Sequence, residues 1–208
     1  MPPQVTTVVC ALSGVLWRDQ PLCEQVLQEL LIRENIAPRQ RHPWYRGGTD
    51  REFLAAIWHS YRRSVSEDYL THLVQTYRTQ YQHALLAQPE PPWYEHARPF
   101  WDSLRASGYR CGIHTEQQGQ TWWAWLNRHL APDLSVSDYG DLADPQTTLV
   151  FESTLLGSQR AKAAGCWVVG VAHQLPYHWL HRQTHWAIDT LAEWDWSALT
   201  PAVAPSAV

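Results

Sequence analysis

Positive charge is scarce in this 208-residue chain: lysine occurs once, as Lys162, and the formal net charge is −4. That leaves no basic footprint for nucleic acid, so no nucleic-acid partner is expected. No apolar run approaches the roughly 18 residues that a membrane-spanning helix needs. The apolar patch near the N-terminus, Val8 to Leu12, has no positive residue before it and is too short for a signal-peptide core. A cytoplasmic location is the default expectation. Cys10, Cys23, Cys111 and Cys166 lack the spacing of metal ligands. Three of them sit in apolar, strand-like runs, which predicts reduced, buried thiols.

Tryptophan, by contrast, is abundant: there are 13, in a composition that is 45% hydrophobic. That composition suits one globular unit with an inserted subdomain. So many tryptophans predict that some reach the surface, which hints at a protein interface.

Val5 to Ala11 is β-branched and apolar and reads as a central parallel strand buried on both faces. Side chains alternate along a strand, so Cys10 and Ala11 point to opposite faces. A tight glycine turn follows at Gly14. Leu22, Val26, Leu27, Leu30 and Leu31 recur at helical spacing, ending near Asn35 and Pro38. Thr49-x-x-Glu52 and Ser64-x-x-Glu67 are capping-box patterns ahead of two further helices. Pro89, Pro91 and Pro92 end that helical stretch. Phe100, Trp101 and Leu104 form the next helical face, closed by Gly108. Strands are expected at Tyr109 to His114, Leu134 to Ser137, Leu149 to Glu152 and Cys166 to Val171, and a tryptophan-bearing helix at Gln120 to Leu130. The link from Ser137 to Leu149 is at the lower limit for a helical crossover, so its helix is expected to be lost.

The stretch Val8-Val9-Cys10-Ala11-Leu12-Ser13-Gly14-Val15-Leu16 closely resembles the opening motif of the haloacid dehalogenase (HAD) superfamily of phosphatases and mutases. There the strand runs into Asp-x-Asp-Gly-Thr/Val-Leu. The passage ending in His114-Thr115 resembles the second motif, whose Ser or Thr hydrogen-bonds a phosphate oxygen. Val150-Phe151-Glu152-Ser153-Thr154 resembles the fourth, whose acidic pair helps to hold magnesium. The resemblance implies a Rossmann-like α/β core, residues 1–16 and 90–199, with a parallel sheet flanked by helices. It also implies an inserted α-helical cap over residues 17–89, as in the β-phosphoglucomutase and phosphoglycolate phosphatase branch. Arg46, Gly47, Gly48 and Thr49 lie where such caps contact substrate, although a loop that merely starts a helix fits them as well. Residues 200–208 are Pro/Ala-rich and are expected to be a disordered tail.

In that family one aspartate attacks phosphorus and a second moves the proton, while magnesium bridges carboxylate and phosphate. By motif position Ala11 replaces the nucleophile, Ser13 replaces the acid/base and Ser153 replaces one metal-binding acid. The link after Ser137 contains no lysine, and Lys162 does not match the catalytic lysine. No catalytic residue is therefore assigned, and Ser13, Gly14, Thr115 and Glu152 are the candidate ligand-binding residues. Asp19 is expected to be a solvated helix-start residue that does not reach Ala11. His114 is expected to face away from Thr115. His173, His178, His181 and His185 are read as ordinary histidines, with metal binding the sharper alternative. The favoured function is a catalytically silent HAD-like protein, a pseudophosphatase acting by binding, with a protein as the expected partner. The alternatives are a phosphatase or phosphosugar mutase with an altered site, and a non-hydrolysing sensor of a phosphorylated small molecule. No cofactor is expected; magnesium enters only with the altered enzyme.

Overall fold

Val8, Val9 and Cys10 lie fully buried in the middle of the molecule, as a run of apolar side chains on both faces of a strand requires. The structure, a computed structural model, describes residues 4–38 and 48–201. Its elements in chain order are β1 (Gln4–Val5), β2 (Thr7–Ala11), α1 (Gln20–Arg33), α2 (Asp50–Ser60), α3 (Glu67–Leu86) and α4 (Ala97–Ala106). There follow β3 (Arg110–His114), α5 (Gln120–His129), β4 (Leu134–Val136), β5 (Thr148–Glu152) and α6 (Leu155–Ala163). The chain then forms β6 (Trp167–Val171), α7 (Tyr177–His181), β7 (Trp186–Ile188) and β8 (Thr200–Pro201).

Six strands form one parallel sheet in the order β4-β3-β2-β5-β6-β7. Helices flank it, so the fold is the expected Rossmann-like α/β core. The strand order runs outward one way from β2 to β4 and the other way from β5 to β7. The ends of β2 and β5 therefore flank the switch point, the usual ligand crevice of an open α/β sheet.

Between β2 and α4 the chain inserts α1, α2 and α3, with α1 and α2 both packing on α3. The segments entering and leaving this insertion run side by side. Arg18 N donates to Pro92 O at 2.6 Å, and Tyr94 N donates to Leu16 O at 2.9 Å. Trp17 plugs this root, edge-on to Trp122 and Trp125 of α5. The capping box of α2 forms as expected, with Thr49 N donating to Glu52 Oε2 at 2.7 Å. Ser64 does not cap α3. The helix begins at Glu67, so Ser66 takes the cap position and accepts from Tyr69 N at 3.3 Å, leaving Glu67 too early to complete a box.

Between β4 and β5 there are two short 3₁₀ turns and no α-helix, as the link length predicted. The sheet face there is not left bare. Tyr139, from the first turn, is buried against Val9, Val136, Val150 and Val168, and Ala161 of α6 joins it. The cysteines are free thiols; Cys10, Cys111 and Cys166 are buried and Cys23 is half-buried. The surface expectation for the tryptophans is met at a single ring. Among the described ones only Trp179, at 39%, is exposed; the others pack into the core or against it. The tail expectation is corrected at its start, where Thr200–Pro201 pairs with Gln4–Val5; residues 202–208 lie outside the described residues.

Candidate functional site

A cavity of about 300 Å³ opens where the C-terminal ends of β2, β3 and β5 meet the inserted helices. Ala11, Ser13, Thr115 and Glu152 all line it, so four sequence-named positions converge. Gly14 stands behind the wall. Its φ of +81° suits glycine, and a Cβ there would lie 2.2 Å from Ser153 Oγ. Gly48 and Thr49 also line the cavity, with Thr49 engaged in capping α2; Arg46 and Gly47 lie outside the described residues.

Asp19 is the residue that sequence reasoning misjudged. It is 1% exposed, lines the cavity and is not solvated. Ser13 Oγ donates to its Oδ1 at 2.8 Å, and Tyr81 OH from α3 donates to its Oδ2 at 2.5 Å. Burial raises its carboxyl above the usual range, and the bonds from Tyr81 and Ser13 pull it partly back. Ser13 thus has a carboxylate partner that its motif position did not reveal.

Glu152 is 3% exposed and already occupied. Its Oε2 accepts from Tyr139 OH at 2.8 Å, and its Oε1 from Ser153 N at 2.8 Å, Thr154 N at 3.1 Å and Thr154 Oγ1 at 3.1 Å. Gly157 lets α6 start against it, since a Cβ there would meet Glu152 Oε2 at 2.3 Å. His114 lines the cavity together with Thr115. Its ring stacks on Tyr139 at 4.3 Å, and burial lowers its pKa. Thr115 Oγ1 accepts from Gln117 N at 3.2 Å.

An ionic cluster ties the inserted helices to the core. Arg78 Nε of α3 donates to Asp50 Oδ2 of α2 at 2.6 Å, and its Nη2 pairs with Glu116 after β3. Glu116 is pushed up to about 7, by burial first and by Asp50 second, against the pull of Arg78. Across the cavity Arg160 of α6 pairs with Glu52 of α2 at 2.8 Å.

The fold family implies magnesium, and the donor set here does not fit it. Octahedral magnesium needs several free hard oxygens. Ala11 offers a methyl group, Glu152 is committed to internal donors, and Ser153 Oγ is buried against Gly14. Among the described residues no three His, Cys, Asp or Glu side chains are arranged to hold a metal. The four histidines do not assemble either: His173 stacks on Tyr94, while His185 Nδ1 accepts from Val168 N at 3.0 Å.

Neither a protein-family model nor a curated protein sequence matches the chain. Solved structures do. A HAD hydrolase, family IA, variant 3, from Entamoeba histolytica is 17% identical, with 93% of this chain and 97% of that one covered and a TM-score of 0.74. A β-phosphoglucomutase from Clostridium difficile is 14% identical, with 93% and 95% covered and a TM-score of 0.70. A predicted phosphoglycolate phosphatase from Haemophilus somnus is 16% identical, with 91% and 96% covered and a TM-score of 0.70. At these identities the likeness speaks for the architecture alone, a parallel sheet flanked by helices. The chain has a haloacid dehalogenase-like fold, of the kind seen in the β-phosphoglucomutase and phosphoglycolate phosphatase structures.

Proposed function

We propose that this chain is a catalytically silent HAD-like protein that works by binding, and that its cavity holds a small molecule under the cap formed by α1–α3, within residues 17–89. One observation carries the reading. The position from which a carboxylate would attack holds the Ala11 methyl group, and the retained acid, Glu152, is buried with its oxygens accepting from Tyr139, Ser153 and Thr154. Loss of a cooperating catalytic set removes several orders of magnitude in rate. A protein partner draws less support than the tryptophan content suggested, because among the described rings only Trp179 is exposed. The cavity is the better-supported contact point.

The altered-site phosphatase or mutase is the second reading. It is favoured by the Ser13–Asp19 pair, which sets a hydroxyl against a buried carboxylate. The names of the similar solved structures point the same way. The deciding experiment is hydrolysis of an aryl phosphate and a panel of sugar phosphates by the purified protein, with and without magnesium. Silence at the level of a no-protein control is expected. Turnover that survives repurification and disappears in Ser13→Ala would replace the first reading with the second.

A further inference from the structure

We propose that Asp50, Arg78 and Glu116 form a proton-operated latch between the inserted helices and the core. One proton on the carboxylate pair holds α2 against the core, and its loss lets the inserted helices swing away from the cavity. The latch goes beyond the binding reading above and does not depend on it. Its parts come from three segments. Arg78 Nε of α3 donates to Asp50 Oδ2, in the first turn of α2, at 2.6 Å, and its Nη2 pairs with Glu116 in the segment after β3. Asp50 N also donates to Glu116 Oε2 at 3.4 Å. Asp50 and Arg78 travel with the insertion, whereas Glu116 belongs to the core, so the cluster spans the boundary between them. At the root of the insertion the ties are the backbone bonds from Arg18 N to Pro92 O and from Tyr94 N to Leu16 O, which makes the root the hinge.

The charge balance makes the cluster responsive. Two carboxylates share one guanidinium, so full ionisation leaves one excess negative charge in a poorly solvated junction. Burial first and Asp50 second raise Glu116 to about 7, outweighing Arg78 and the Asp50 amide, and burial raises Asp50 as well. Among the described residues Arg160 of α6 also faces Glu116, but it pairs with Glu52 at 2.8 Å. Asp19, Cys23 and Tyr77 face Asp50, and burial raises all three. Other ties from the insertion to the core respond less to pH. Gln82 Nε2 donates to Gln117 Oε1 at 3.0 Å and to Gln118 O at 2.8 Å, both neutral, and the Glu52–Arg160 pair is open to solvent and weak. In the open form Glu116 meets water and returns towards its ordinary 4.5, so the closed form binds the proton more tightly and acid favours closure. The closed-to-open ratio should fall up to about tenfold for each pH unit between roughly 5 and 7 and level off above that.

The test is the distance between nitroxides at Ala56→Cys on α2 and Ala163→Cys on α6, both exposed positions. It is measured in the full chain carrying Cys23→Ala, by double electron–electron resonance at pH 5 and pH 8.5. A single short distance is expected at pH 5, and a longer one should grow in by pH 8.5. Glu116→Gln should keep the short distance at both pH values, because its amide stays neutral. Asp50→Asn, which removes the other carboxylate of the pair, is the second variant should Glu116→Gln not fold, and it should behave in the same way. Identical distances at the two pH values with Asp50 and Glu116 intact would overturn the latch. A pH-dependent shift that survives in whichever variant folds would overturn it as well.

Discussion

Ser13 donates a hydrogen bond to Asp19 at 2.8 Å, joining the two ends of the loop that carries the chain from β2 into α1. The other oxygen of Asp19 accepts from Tyr81, 62 residues further on in α3. One buried carboxylate thus holds the sheet, the loop and an inserted helix together at the cavity wall.

Removing the Tyr81 hydroxyl should reveal how much this junction contributes. A hydrogen bond to a charged group contributes about 1.5–3 kcal/mol, and Tyr81→Phe should destabilise by that order in urea unfolding at pH 8. Ser13→Ala should cost less, because Ser13 is exposed on its cavity side. A larger loss from Ser13→Ala would contradict the arrangement.

Glu116 should leave a mark on the pH profile. Its folded pKa of about 7 lies above the ordinary value of 4.5, so the folded chain binds a proton more readily than the unfolded one. Its contribution therefore becomes more favourable as pH falls through about 7 and levels off below the unfolded value. The stability difference between the native chain and Glu116→Gln, followed by urea unfolding from pH 8 to pH 5, should shift in favour of the native chain as the solution is acidified. A flat difference would mean that Arg78 keeps Glu116 ionised throughout.

Gly14→Ala should lower Tm. The residue sits at φ +81°, and the added methyl would stand 2.2 Å from Ser153 Oγ. Strain of this kind costs about 1–3 kcal/mol, to which the clash adds. An unchanged melting curve would show that the loop re-forms around the methyl.

Under the silent reading proposed above, placing carboxylates at Ala11 and Ser13 should not produce hydrolysis. Ala11→Asp with Ser13→Asp returns two side chains but supplies neither the lysine nor the second metal-binding acid. It also sets a new carboxylate against Asp19, which Ser13 Oγ now meets at 2.8 Å. Aryl phosphate hydrolysis should stay at background and Tm should fall. Turnover above background would mean that only these two positions had been lost.

The scaffold was legible in the order of residues. Alternating and continuous apolar runs placed β2, β3, β5 and β6, and helical spacing placed α1 to α5, because backbone geometry imposes those periods locally. The capping box at Thr49 and the turns at Gly14 and Gly108 were legible for the same reason. The missing crossover helix followed from chain length alone. Local pattern could not decide between Ser64 and Ser66, since either start satisfies the same apolar face. It could not weigh the tryptophans, because composition counts rings without saying which ones find partners such as Trp17 against Trp122. The surroundings of Asp19, Glu116 and Glu152 emerged only when segments distant in the chain met in space. A carboxylate beside a helix start reads as solvated until Tyr81 arrives over it from another helix. Burial, like-charge crowding and hydrogen-bond partners are properties of segments brought together in space, so the electrostatic character of the cavity belongs to the fold.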